Sequence, residues 1–452
     1  MKRENKDINI NRPTFCILPW IHLQTKPNGQ VKPCCRFDHR HPDYKTEQGY
    51  IWDEFNVKDK TFSDIISSDV WQKLRSDMLD GKIIAGCSKC YREESSGGRS
   101  MRTGENDTWF RELPSEEYTG LKYYEFALGS FCNLKCRTCD ADLSHTWKDD
   151  TAKLEPYYND RYKYKDNTNL NTYYDKQDLT AVEVIKFTGG EPMLHPNFID
   201  IIDHIIDLGR AEVVSLNIFT NCSWVPKKSL LQKLRLFKKV TISVSIDGLG
   251  KVNDYIRNPS KWNDVESAVR KWLSEPFDIV WHPTFSVYNI WQTVDMVEWW
   301  INIQQEVKGK DFWTSITRTT EVQPRKNLLR VLPTSIIKLN MVANCVTSPS
   351  YLSCAVFPNK DNTATLAKRN DLLSRLDSFD CDEMTRKNLQ YSIKKFFSVP
   401  LLFLAQESAK NDIDMFGSYT ADLDKLRNES LETAIPQVYS LFDAEIFKGR
   451  LP

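Results

Sequence analysis

Between about residues 119 and 310, short apolar runs alternate with longer amphipathic stretches. The runs at 121–129, 182–188, 212–219, 239–246 and 278–288 are rich in β-branched and aromatic residues and read as strands. Between them, Phe198 to Leu208, Trp262 to Leu273 and Ile290 to Gln305 carry apolar residues at helical spacing. Such alternation predicts parallel strands joined by crossover helices, with a sixth strand near Phe312 to Val322. Upstream, Trp20 to Gln24 and Val31 to Pro33 flank Pro27-Asn-Gly-Gln30, a hairpin signal, and Leu74 to Gly81 reads as a helix leading into Cys87-x2-Cys90. The basic stretch Lys227 to Lys239 reads as a solvated helix face. After about 325 the chain turns helical and polar, most clearly at Asp371 to Leu376, Met384 to Phe397 and Leu401 to Lys410. The pattern divides the chain into an N-terminal unit (1–115), an α/β unit (116–325) and a helical C-terminal region (326–452).

Composition narrows the function classes. At 452 residues the chain exceeds one ordinary core. Its 61 basic and 61 acidic residues cancel, so nothing global points to nucleic acid or an anionic membrane. No apolar run is long enough to span a bilayer, and the opening MKRENKDINI is not a signal peptide. A cytoplasmic protein is expected. There, twelve cysteines point to metal or catalysis rather than disulfides.

The cysteines fall into patterns. Cys132, Cys136 and Cys139 form C-x3-C-x2-C directly after the strand-like run Leu121 to Leu128. Three thiolates on one loop hold three irons of a 4Fe–4S cubane and leave the fourth open to a small chelating molecule. The next strand ends in Phe187-Thr-Gly-Gly-Glu-Pro192, where two glycines let a ligand approach the backbone and a carboxylate can pair with an ammonium. Leu216 to Thr220 is followed by Asn221, and Thr241 to Asp247 leads through Gly248 to Arg257. In the N-terminal unit Cys16, Cys34, Cys87 and Cys90 match either a four-thiolate zinc site or a fully ligated iron–sulfur cluster.

These motifs resemble the radical S-adenosylmethionine (radical SAM) superfamily, whose open iron takes the methionine moiety of the cofactor. The resemblance implies a partial (β/α)6 TIM-like barrel. It also implies that Gly189, Gly190 and Glu191 line the methionine end, and that Thr220, Asn221, Ser245, Asp247 and Arg257 contact the cofactor. The chain departs from the family at Thr138, where an aromatic residue is usual, and at Cys222, where glycine is frequent. The spacing C-x9–15-G-x4-C with a later C-x2-C resembles the SPASM and twitch auxiliary-cluster modules, placed here ahead of the barrel. It implies a second 4Fe–4S cluster on Cys16, Cys34, Cys87 and Cys90.

The implied reaction is reductive cleavage of SAM to a 5′-deoxyadenosyl radical that abstracts hydrogen from a substrate, with flavodoxin or ferredoxin as electron donor. The auxiliary cluster would aid oxidation or substrate binding. The substrate expected is a peptide or protein side chain. The alternatives are a small molecule, such as a sugar or nucleotide, and a non-catalytic iron–sulfur or zinc protein. Cys345, Cys354 and Cys381 lack ligand spacing and read as buried free thiols; a further cluster built from them with Cys35 is the competing reading, and Cys222 places a thiol near the cofactor. The tyrosine-rich insertion Pro156 to Asp178 is either a lid at the active-site face or a surface excursion.

Overall fold

The computed structural model describes residues 14–95, 100–109, 121–154, 157, 178–309, 339–346, 349–358, 363–378 and 383–451. Eleven strands occur there: β1 (His22–Thr25), β2 (Val31–Lys32), β3 (Lys45–Thr46), β4 (Gly49–Tyr50), β5 (Tyr123–Ala127), β6 (Val184–Thr188), β7 (Ser215–Thr220), β8 (Lys239–Val244), β9 (Asp278–Trp281), β10 (Thr284–Phe285) and β11 (Asn344–Cys345). Seven pair in the order β2-β1-β5-β6-β7-β8-β9. β1 and β2 are antiparallel, and β1 runs parallel to β5 with Gln24 opposite Glu125. β5 with β6, β6 with β7 and β8 with β9 are also parallel. The expected barrel strands are therefore present as a parallel sheet with intervening helices. The sixth strand expected near Phe312, most of the tyrosine-rich insertion and Cys381 lie outside the described residues. Farther along, β10 pairs in parallel with β11 and Trp281 bridges Met341.

The chain forms two compact units. The first comprises Met1–Cys132, Lys165–Ile218 and Ser229–Val240. In it β5 sends Tyr124 and Phe126 to one face, where Phe62 lies 5.3 and 6.2 Å from their rings. Phe126 meets Phe187, which meets Phe198 of the helix Pro196–Asp207 at 4.8 Å. That helix starts where Pro196 presets φ and the His195 ring accepts from the Asn197 N–H. It buries Phe198, Ile201, Ile202 and Ile205, each stabilising the fold by about 1.5–3 kcal/mol. Near the N-terminus, Thr61 and Asp64 form a capping box for Phe62–Ile66, and Ser68 caps Asp69–Leu79. The latter helix presents Trp71 to Trp52 and Phe55, and the Trp71 indole donates to the Pro19 carbonyl at 2.8 Å.

The second unit comprises Asn133–Tyr164, Phe219–Lys228 and Thr241–Pro452. Trp281 anchors it, stacked on Phe396 at 5.3 Å, 6.0 Å from Trp300 and donating to the Ile246 carbonyl. Two separate helices were expected at 384–397 and 401–410. Instead one helix runs Glu383–Leu404 straight through Pro400, and the next begins at Lys410. The buried side chains of Leu389, Ile393, Phe396, Phe397 and Leu404 explain the continuity, because their burial outweighs the roughly 3 kcal/mol penalty of an internal proline. Among the described residues no helix is long and apolar enough to cross a membrane.

Trp71 has no exposed surface and fills the centre of an aromatic group. Trp71→Ala is expected to destabilise its unit by about 3–5 kcal/mol, read as a lowered thermal midpoint. A midpoint unchanged from the parent would show that the group is not a core.

Candidate functional site

The GGE turn lies on the loop that follows β5. The Gly190 N–H donates to the Gly129 carbonyl at 3.0 Å and the Glu191 N–H to the Phe131 carbonyl at 2.8 Å. A Cβ on Gly190 would sit 2.2 Å from the Phe131 oxygen, and one on Gly189, whose φ is +109°, 2.8 Å from the Gly129 oxygen. The two glycines are thus required first by close approach of the chain's own backbone. Cys132 and Glu191 are both buried here. His195 meets the Phe131 ring edge-on at 6.4 Å.

In the second unit the rest of the cysteine loop is held by its backbone and by one cation. The Lys135 and Arg137 N–H groups donate to the Asn258 and Ile256 carbonyls, each at 2.7 Å. Arg137 is fully buried and lies 3.6 Å from the Tyr255 ring centroid. Its guanidinium bonds Asp424 at 2.5 Å, Glu429 at 2.7 Å and the Tyr255 carbonyl at 3.0 Å. The Trp147 indole donates to the Cys136 carbonyl at 3.1 Å, and Arg427 lies over that indole while bonding Asp150. Burial pushes the Cys136 thiol up, and the charge of Arg257 works against it. Arg137, Asp424, Glu429 and Trp147 were not among the residues expected from sequence. The one local signal was a cation set between two ligand cysteines. Their carboxylate partners arrive nearly 300 residues later and leave no such trace.

The remaining predicted cofactor residues of this unit are each held by local hydrogen bonds. Asn221 donates to Asn133 of the cysteine loop at 2.8 Å and accepts from Ser223. Thr220 accepts from the Cys222 N–H, and its carbonyl accepts from the Ser245 N–H at 2.9 Å. Cys222 takes φ +57°, the left-handed region that glycine enters freely. Asp247 is buried and spends its two oxygens on Arg257 at 2.5 Å and on the Thr284 N–H at 2.8 Å. It therefore orients Arg257.

In the first unit Cys16, Cys34, Cys87 and Cys90 line one small cavity with Phe37 and Arg102. Burial first, then the charges of neighbouring thiolates, raise the Cys16, Cys34 and Cys87 thiols. Buried thiols gathered at one cavity lose their protons together only against a cationic centre, so the donor set fits a thiolate-ligated metal group. Among the described residues no three His, Cys, Asp or Glu side chains close on a single metal ion. The Cys35 thiol lies 3.6 Å from the sulfur of Met101, which itself lines the cavity. Among the described residues none of the eleven cysteines forms a disulfide.

Residues 127–299 match the radical SAM superfamily, and residues 16–91 match the SPASM iron–sulfur cluster-binding domain. The chain thus carries a radical SAM domain preceded by a SPASM domain. Solved structures with similarity include Streptococcus suis SuiB bound to S-adenosylmethionine, at 16% identity, TM-score 0.26, and covering 40% of this chain and 36% of that one. Native anSMEcpe with bound AdoMet and the Cp18Cys peptide gives 14% identity, TM-score 0.30, and 57% and 58% coverage. SuiB bound to its precursor peptide SuiA gives 14%, 0.27, and 48% and 50%. The chain therefore spans less than two thirds of each. No curated protein matches it.

Two variants test this construction. Gly190→Ala is expected to displace Phe131 and Cys132 and to lower the iron bound after anaerobic reconstitution, whereas full iron content would show the close approach to be dispensable. Arg137→Met strands two carboxylates with little exposure and is expected to cost about 3–5 kcal/mol. Lysine should not rescue it, since it offers neither the planar fork nor the ring stacking. A thermal midpoint restored by Arg137→Lys would refute the clamp.

Proposed function

We propose that this chain is a radical SAM enzyme that modifies a side chain of a peptide or protein. One observation carries the reading: the loop of Cys132, Cys136 and Cys139 begins on the Gly189-Gly190-Glu191 turn, joined to it by two backbone hydrogen bonds. The SPASM domain ahead of the barrel favours a peptide or protein over a sugar or nucleotide, because proteins of that type commonly act on peptides.

In this reading Cys132, Cys136 and Cys139 hold a 4Fe–4S cluster open to S-adenosylmethionine, and Cys16, Cys34, Cys87 and Cys90 hold an auxiliary one. When bound, the first cluster with its cofactor supplies the 5′-deoxyadenosyl radical that takes a hydrogen atom from an unreactive carbon. The chain's part is to bind and orient. Buried Glu191 offers a carboxylate to the methionine ammonium, worth more in a site shielded from water. Arg257, steadied by Asp247, offers a fixed cation to the cofactor carboxylate. Asn221, tied to Asn133, and the Thr220–Ser245 backbone contact set the wall for the nucleoside. The Arg137 clamp keeps Cys136 and Cys139 on a loop that does not refold between turnovers. The functional division we propose is 1–115, 116–325 and 326–452. A cytoplasmic location, with flavodoxin or ferredoxin as donor, suits cysteines that form no disulfide among the described residues.

Reconstituted protein is expected to hold about eight irons per chain. Changing Cys132, Cys136 and Cys139 together to Ala should remove about half of them and abolish formation of 5′-deoxyadenosine from S-adenosylmethionine under reducing conditions. Stoichiometric zinc with four irons would overturn the auxiliary assignment, and cofactor cleavage surviving the triple change would overturn the rest. Glu191→Ala is expected to weaken cofactor binding about tenfold or more, measured by equilibrium dialysis. Parental affinity would remove that role.

A further inference from the structure

The sheet of the first unit has two unlike faces. One carries Leu23, Tyr124, Phe126, Ile185, Phe187, Leu216 and Ile218, all buried. On the other, the strand register places Gln24, Glu125, Lys186 and Asn217 side by side across β1, β5, β6 and β7. Strands of a parallel sheet covered on both faces ordinarily read as apolar throughout. This row is polar, and it lies two residues, or about 7 Å, before the strand end that leads to the cysteine loop.

The row leaves individual buried acceptor atoms unmet. The Gln24 amide donates to Glu125 Oε1 at 2.9 Å. Lys186 lies 3.2 Å from Glu125 Oε2. His22, on the same face of β1, is fully buried and its Nδ1 donates to the Pro33 carbonyl at 2.8 Å. Burial holds the ring's pKa down at about 4, so it is neutral and Nε2 is a lone-pair acceptor. That Nε2 faces Glu125 Oε2 at 3.9 Å, acceptor to acceptor. Among the described residues neither His22 Nε2 nor Gln24 Oε1 has a hydrogen-bond partner. Native interiors rarely leave two such atoms together.

We propose that His22, Gln24 and Glu125, with Lys186 as counter-charge, form a site that binds a neutral N–H donor, the amide group of a peptide segment. The choice of donor follows from charge. Lys186 already offsets Glu125, so a second cation would be repelled at short range in a dry setting. An anion would meet lone pairs. A neutral amide N–H satisfies the acceptors and adds no charge. The substrate class rests on the peptide reading above, while the donor chemistry does not.

The test uses crystals of the reconstituted protein, soaked separately in acetamide, N,N-dimethylacetamide and methylammonium chloride at equal concentration. Acetamide is expected with its nitrogen at about 3 Å from His22 Nε2 or Gln24 Oε1, and the other two are expected to leave those atoms uncontacted. Absence of acetamide there, or equal occupancy by dimethylacetamide, overturns the site. Methylammonium in preference to acetamide overturns the neutral-donor assignment. Lys186→Met leaves Glu125 uncompensated and is expected to reverse the preference toward methylammonium; an unreversed preference in the folded variant refutes the charge argument. Formation of 5′-deoxyadenosine by the same preparation separates the two claims. A preparation that cleaves the cofactor but ignores acetamide loses only the amide site, and one that takes acetamide without cleaving loses only the radical reading.

Discussion

The Phe131 carbonyl oxygen lies where any side chain on Gly190 would begin. This exclusion ties the two most chemically loaded turns of the first unit together. A loop after a strand is ordinarily free to sample several paths. Here the path from Gly129 to Cys132 is set by the neighbouring turn, because two N–H groups of that turn must find their acceptors on it. The same contact directs Glu191, whose N–H is held while its carboxylate is buried. A glycine pair read from sequence as room for a ligand is therefore first of all room for the chain itself.

Within the second unit the helical C-terminal region acquires a purpose. Asp424 lies in the helix Lys410–Arg427 and Glu429 just beyond its left-handed cap at Asn428. Both are spent on Arg137, and Tyr255 and Asn258 hold those carboxylates in turn. A buried ion pair replaced by apolar groups of equal volume often leaves stability unchanged or improved. What the charged version adds is direction. A guanidinium with a ring beneath it and two carboxylates beside it has one orientation, and the loop between Cys136 and Cys139 inherits it.

Much of this was legible in the sequence wherever the signal is local. The helix Trp262–Leu273 falls on its expected residues because five apolar positions repeat at helical spacing. The hairpin at Pro27 to Gln30 closes as its turn residues demand, with the Lys26 N–H on the Gln30 carbonyl. The four N-terminal thiols grouped by spacing do line one cavity. Longer-range terms were not legible. Nothing in the residues around 389–404 announces that buried Phe396 and Phe397 will carry a helix through Pro400. The left-handed backbone at Cys222 is likewise something that only φ reveals. The bonds of Asp247 to Arg257 and to the Thr284 backbone, 10 and 37 residues away, also leave no local trace.

The alternation along β6 and β7 carries the last step. Ile185, Phe187, Leu216 and Ile218 pay for these strands by burial, so their other face is free to be spent on something else. On that face a buried imidazole and carboxylate sit against an ammonium, and their desolvation is only partly recovered by the contacts they make with one another. An apolar row would hold the sheet at least as well. The fold therefore tolerates a polar row that its stability does not require, directly beneath the strand ends where the cysteine loop and the Gly-Gly-Glu turn meet. Unmet hydrogen-bonding capacity in that position is a recognition surface: a ligand that satisfies it gains what the folded chain alone leaves unrecovered.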